Sequence, residues 1–324
     1  MMKTAYKILI GAGAAAAGIA ATATLSYTIT KKMMKIALDR QPSKIPERAQ
    51  RRVSGTKNQG KNRQELALAA DRLRNSECET VEITAHDGIR LIGHWQPCEN
   101  AERVIIAMHG WRSSWYKDFG MISDFWRENH CSVLYVEQRA QGESEGEYMG
   151  FGLIERYDCL DWIRWANAHG CSRLPIYLCG VSMGASTVLM AAGLELPENV
   201  HGVMADCGYT SAHDIWKHVV KHNLHISYGG ITASIASDIC KKKINCGPKE
   251  YSCVEAMRNC KAPVLFVHGT DDHFVPIEMT YENYKACAAP KRLLVVPGAE
   301  HGMSYVLEKK NYEECVKRFW QDFD

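Results

Sequence analysis

A serine flanked at two residues on either side by glycine, in Gly180-Val181-Ser182-Met183-Gly184, is a pattern on which acyl-transfer chemistry can be built. A hydroxyl is a poor nucleophile until a base takes its proton during attack. Ser182 therefore needs an imidazole, a carboxylate to orient that imidazole, and N–H donors for the oxyanion. Three other stretches supply these types. VHGTDDHFVP, from Val267, carries Asp271 and Asp272; GAEHGMS, from Gly298, carries His301; MHGWRSS, from Met108, carries Gly110-Trp111. Asp206, after an apolar run, is a third available carboxylate. An imidazole ordinarily titrates near neutrality, so His301 can act first as base and then as acid, while a carboxylate fixes its tautomer and stabilises the imidazolium. His109, His268 and His273 read as loop hydrogen-bonding groups. Trp111, Trp115 and Tyr116 either line an acyl pocket or pack beneath a cap.

These residues must be held by elements that end at one place. The run 175–179 reads as a buried strand and 185–192 as the first turns of a helix, so Ser182 sits where strand becomes helix, with glycines where side chains would collide. An unbroken apolar run at 104–108 and further strand-like runs at 132–136, 202–205, 264–267 and 293–296 alternate with helical patterns near 116–129, 154–168, 277–287 and 304–320. That alternation predicts a mostly parallel sheet with helices on both faces. Ahead of it, 64–74 reads as an amphipathic helix, and 81–85 and 89–95, joined at Asp87-Gly88, as an antiparallel hairpin. Loops leaving one edge of a parallel sheet bring distant residues together. Between about 208 and 261 the alternation lapses, and helical patterns there predict a small cap insertion over that edge.

With 324 residues, a net charge of +2 and near-equal numbers of acids and bases, the chain has an ordinary globular composition and gives no sign of a nucleic-acid partner. Its 13 cysteines, an odd number without framework spacing, indicate a reducing compartment. Cys240, Cys246, Cys253 and Cys260 lack any C-x-x-C pair, so neither a metal nor another cofactor is expected. Nothing in the composition reports an oligomeric state.

The stretch 8–29 holds no charged residue, and a helix of that length matches a hydrocarbon core of about 30 Å. It predicts an uncleaved N-terminal membrane anchor over 1–30, although Ala21-Thr22-Ala23 resembles a cleavage site. Lys31, Lys32, Lys35 and Arg40 follow closely, which orients a single-pass protein with residues 64–324 in the cytoplasm. Residues 31–63 then form a basic linker able to rest on anionic lipid.

From about residue 80 onward the elbow, the Asp- and His-bearing loops and the His-Gly-Trp turn together resemble the α/β-hydrolase superfamily, especially its bacterial serine-aminopeptidase-like and feruloyl-esterase-like members. The resemblance implies Ser182 as nucleophile, Asp272 (the second Asp of His-Gly-x-x-Asp) as acid, His301 as base, and the N–H groups of Met183 and Trp111 as oxyanion donors. Asp271 and Asp206 are the rival acids. One motif departs. Where the family often has Asp-x-Arg-Gly-x-Gly-x-Ser, EQRAQGESEG places Glu137, Arg139, Ala140, Gly142 and Ser144. The function expected is a membrane-anchored serine hydrolase acting through an acyl-enzyme on small-molecule or lipid esters, thioesters included. A serine aminopeptidase, with Glu143, Glu145 or Glu147 receiving the substrate ammonium, is the nearest rival. A non-catalytic membrane scaffold is the rival from another class.

Overall fold

The computed structural model describes residues 24–41 and 59–324. Eight strands form one sheet: β1 (Glu79–Thr84), β2 (Arg90–Gln96), β3 (Arg103–Met108), β4 (Cys131–Val136), β5 (Ile176–Val181), β6 (Val200–Asp206), β7 (Val264–Gly269) and β8 (Lys291–Val296). Their order is β1-β2-β4-β3-β5-β6-β7-β8. β1 and β2 pair antiparallel, as Asp87-Gly88 predicted, and β2 meets β4 antiparallel. The pairs from β4 to β8 are parallel. Every residue of β3, β4 and β7 is buried, because helices cover both faces and leave no solvated side to alternate with.

The helices are α1 (24–38), α2 (Gln59–Arg74), α3 (Trp115–Phe119), α4 (Ser123–Glu128), α5 (Glu155–Ala166), α6 (Met183–Ala192), α7 (Ala212–His218), α8 (Gly230–Ile244), α9 (Cys253–Asn259), α10 (Ile277–Ala286), α11 (Ser304–Leu307) and α12 (Lys309–Phe323). The single helix expected near 116–129 is two. α2 presses on the break, since a Cβ on Gly120 would lie 2.8 Å from the Ala69 carbonyl. The expected last helix also divides, at Glu308. In the region of the expected cap lie α7, α8 and α9.

The membrane anchor is corrected. Of the expected 1–30, residues 1–23 lie outside the described residues, and 24–30 are turns of α1, which carries Lys31, Lys32 and Lys35. A spanning helix needs about 20 apolar residues with an apolar surface all round. α1 instead turns one face inward, burying Thr30, Met34 and Leu38, while Leu25 and Tyr27 stay exposed. No helix among the described residues is long and apolar enough to cross a membrane. The single-pass topology, and the cytoplasmic placement derived from it, are therefore withdrawn. Residues 31–41, expected as the start of a basic linker, dock on the domain. The Leu38 carbonyl accepts from the Met149 N–H at 2.7 Å and the Arg40 N–H donates to Glu147 at 2.8 Å.

The departing loop after β4 has its own bracing. The Glu137 carboxylate accepts from the Glu143 N–H and lies 3.0 Å from His94 Nε2. Ser144 Oγ donates to the Glu137 carbonyl at 2.6 Å and accepts the Ile92 N–H at 2.8 Å, tying the loop to β2. Arg139 is buried between two carboxylates, in contact with both oxygens of Asp158 and 2.8 Å from Asp87. Removing one partner of a buried pair strands the other charge. Arg139→Ala should therefore lower unfolding stability by about 3–5 kcal/mol in denaturant titrations, because Asp158 is 1% exposed and loses the cation that offsets its burial.

Candidate active site

β5 delivers Ser182 to the carboxyl edge of the sheet, and α6 begins at the next residue. The turn is tight enough to force Ser182 to φ +56°, ψ −116°, a conformation that side-chain-bearing residues rarely adopt. Two glycines make it possible. A Cβ on Gly184 would sit 1.8 Å from the Met108 carbonyl at the end of β3, and one on Gly180 2.3 Å from Gly184 itself. Both obstacles are backbone and cannot rotate aside. Gly184→Ala should cost about 3 kcal/mol or more through overpacking, seen as a lower melting temperature.

His301 stands across from the elbow on the loop after β8, its Nε2 2.8 Å from Ser182 Oγ. Its Nδ1 is 2.6 Å from Asp272 Oδ2. Asp272 follows β7, and its other oxygen accepts the N–H groups of Phe274 at 2.9 Å and Val275 at 2.8 Å. A fourth group supports this line. Fully buried His268 has Nε2 3.2 Å from Asp272 Oδ2 and 2.9 Å from the Val275 carbonyl, and its Nδ1 lies 2.6 Å from Thr280 Oγ1. Phe274 meets the His301 ring edge-on, 4.9 Å between centroids.

The electrostatics follow from this packing. Burial alone would raise the Asp272 carboxyl, yet the His301 charge and the hydrogen bonds from His268 and His301 outweigh it and hold the acid well below the usual carboxylate range. Burial would likewise lower His301, but adjacent Asp272, with a smaller contribution from Cys207, carries the imidazole well above its ordinary value.

The rival carboxylates are occupied elsewhere. Asp271 is exposed and accepts from its neighbour Thr270 at 3.0 Å, whereas buried Asp206 accepts from Ser304 Oγ at 3.1 Å. Met183 opens α6, so its N–H is among the first-turn donors that lack an intrahelical acceptor. Trp111 follows Gly110, whose own N–H is held by Asp118 at 2.6 Å. Both Met183 and Trp111 border a cavity of ≈ 150 Å³ that also reaches Ser182. Trp115 and Tyr116 do not border it. Trp115 is buried, stacked on His94 at 4.3 Å, and Tyr116 lies under Arg74 at 5.3 Å.

Two contributors to the site, α1 and Cys207, were not read from the sequence, and His268, expected as a loop hydrogen-bonding group, makes its hydrogen bonds from within β7. The α1 signal was present, since Ile29, Thr30, Met33, Met34 and Ala37 recur at helical spacing between the lysines. Cys207, after β6, lies with Asp272 and His301 in one group whose ligand-type atoms are within 4.8 Å of one another. The four cysteines of 240–260 form no such group among the described residues.

No family model matches the chain. The protein YqkD of Bacillus subtilis is 26% identical over 188 residues, covering 58% of this chain and 61% of the relative, less than two thirds of its length. YfhR of Salmonella typhimurium is 27% identical over 255 residues, 76% of this chain and 82% of the relative. Both are described only as uncharacterized proteins. Among solved structures, the Pyrococcus furiosus esterase Pf2001 superposes with a TM-score of 0.63 at 20% identity, over 80% of this chain and 93% of that one. The strand order, the elbow between β5 and α6, and this likeness agree on one architecture: the chain has the α/β-hydrolase fold.

Proposed function

We propose that the protein is a serine hydrolase that cleaves carboxylic esters through an acyl-enzyme, with Ser182 as nucleophile, His301 as base and Asp272 as orienting acid. The observation that supports this most is the continuous line from Ser182 Oγ through both ring nitrogens of His301, at 2.8 and 2.6 Å, to Asp272. Ser182 Oγ attacks the ester carbonyl as His301 Nε2 takes its proton, and the N–H groups of Met183 and Trp111 receive the oxyanion. Collapse expels the alcohol, which takes the proton back from His301. Water activated by the same nitrogen then attacks the acyl-serine and releases the carboxylic acid.

An ester is preferred over the N-terminus of a peptide because an aminopeptidase needs an anion beside the substrate ammonium. Among the described residues no carboxylate lines the cavity, and Glu145 lies 3.5 Å from Arg90 at the β2 side of the sheet. A fluorophosphonate probe tests the proposal against the scaffold reading. Stoichiometric labelling at Ser182, with turnover of short p-nitrophenyl esters, is expected; an unlabelled protein would refute it.

A further inference from the structure

The cavity beside Ser182 has a wall that lies outside the hydrolase sheet. Ile29, Thr30, Met33, Met34, Ile36 and Ala37 of α1 form one side. The rest of the lining includes Ile215 and Trp216 of α7, Val220 and Leu224 just beyond it, Ala236 of α8, and Phe151. Among the described residues no charged side chain lines it and most of the lining is apolar, so away from Ser182 and the oxyanion donors the chamber suits hydrocarbon.

α1 is fastened to the turn that bears the oxyanion donor. Arg112 donates to the carbonyls of Ile36 at 2.8 Å and Arg40 at 3.3 Å, and also to that of Asp39. Trp111 Nε1 donates to the Ala37 carbonyl at 2.9 Å. The last carbonyls of a helix have no intrahelical partner, and here residues 111 and 112 satisfy them. The wall and the oxyanion turn are thus one hydrogen-bonded unit.

We infer that this cavity is the acyl-chain site, that it takes compact apolar acyl groups of about six carbons, and that α1 sets the length accepted. The size argument is direct. The cavity measures ≈ 150 Å³, and an apolar protein cavity of about that volume accommodates benzene. The assignment to the acyl rather than the alcohol half rests on the proposed role of Ser182. Nucleophile and both oxyanion donors border the chamber, and the acyl group is the half that stays bonded to Ser182 after the alcohol departs.

The test is a kcat/KM series on p-nitrophenyl acetate, butyrate, hexanoate, octanoate and decanoate with the full chain, alongside fluorophosphonate labelling of the same preparations. Each methylene that enters apolar surroundings should raise kcat/KM by up to about fourfold, to a maximum near hexanoate and a fall beyond it. Met33→Ala, at a half-buried position of α1, should move the maximum to a longer chain. Ala236→Leu, in the α8 part of the lining, should move it to a shorter one. A labelled wild type that is fastest on acetate would overturn the acyl site while leaving the serine-hydrolase reading intact. So would a length preference that tracks the alcohol in alkyl acetates instead of the acyl group. A folded Met33→Ala variant with the wild-type profile would overturn the role of α1. Absence of labelling in the wild type would remove the reading of Ser182 and this inference with it.

Discussion

Ser182→Ala should abolish fluorophosphonate labelling and lower kcat on p-nitrophenyl esters by about 10⁶, the loss found when a triad serine is removed elsewhere. The expected effect is this large because, among the described residues, the other hydroxyl held by an imidazole that meets a carboxylate, Thr280 Oγ1 at 2.6 Å from His268, is buried and does not border the cavity that reaches Ser182. Thr187, also near the elbow, directs its hydroxyl to the Met183 carbonyl at 2.9 Å inside α6 and is fully buried. Intact labelling in Ser182→Ala would transfer the nucleophile to another residue. The variant should fold as the wild type does, since the strained backbone is permitted by Gly180 and Gly184 and the serine side chain makes no contact that the turn requires.

Asp272→Asn should lower kcat by about 10⁴, the cost of presenting the wrong tautomer to the nucleophile, whereas Asp271→Asn should stay within a few-fold of wild type. The difference lies in position: Asp272 is buried against His301 and His268, while Asp271 is exposed and bonded to Thr270. Equal losses in the two variants would remove Asp272 from its assigned role. A pH profile checks the same assignment independently. His301 acts as base only when neutral, and Asp272 raises its pKa well above the ordinary value near 6.5. Wild-type kcat/KM should therefore fall as pH drops through a midpoint above that value. In Asp272→Asn the midpoint should move to lower pH, because the anion that favoured the imidazolium is gone. The ion pair has the linked effect on stability. With His301 raised, its stabilisation is complete below the unfolded value and is lost as pH climbs through the folded one.

Much of the architecture was legible because central strands of a parallel sheet read as unbroken apolar runs. The expected strands at 104–108, 132–136 and 264–267 lie within β3, β4 and β7. Helix divisions were less legible. At the break, Gly120 is packed so closely against Ala69, just over fifty positions earlier, that a Cβ would not fit, and no local pattern reports such a contact. α9 was overlooked despite a readable cap, Ser252 accepting the Glu255 N–H at 3.0 Å, because the surrounding cysteines and polar residues masked its periodicity.

The largest error concerned the N-terminus. An uncharged run of Ala, Gly and Ile has the same composition whether it faces lipid or leads into a packed helix. Hydropathy responds to composition alone. α1 is distinguished by what receives its apolar face: a chamber built from residues around 111, 151, 215 and 236, and carbonyl acceptors matched to Arg112 and Trp111.

The sequence by itself determined the local constraints: glycines around Ser182, turn chemistry at Asp87-Gly88, apolar runs that must pair in parallel, and the chain order serine, acid, histidine. Each depends on neighbours within a few positions, where propensity and sterics operate. Only the tertiary structure decided which aspartate faces His301, that His268 meets it, that Trp115 and Tyr116 do not border the cavity, and that α1 lines the cavity beside Ser182. Those outcomes rest on ångström-scale distances between strand ends and a docked helix far apart in the chain, and burial and hydrogen-bond geometry exist only once the sheet has brought them together.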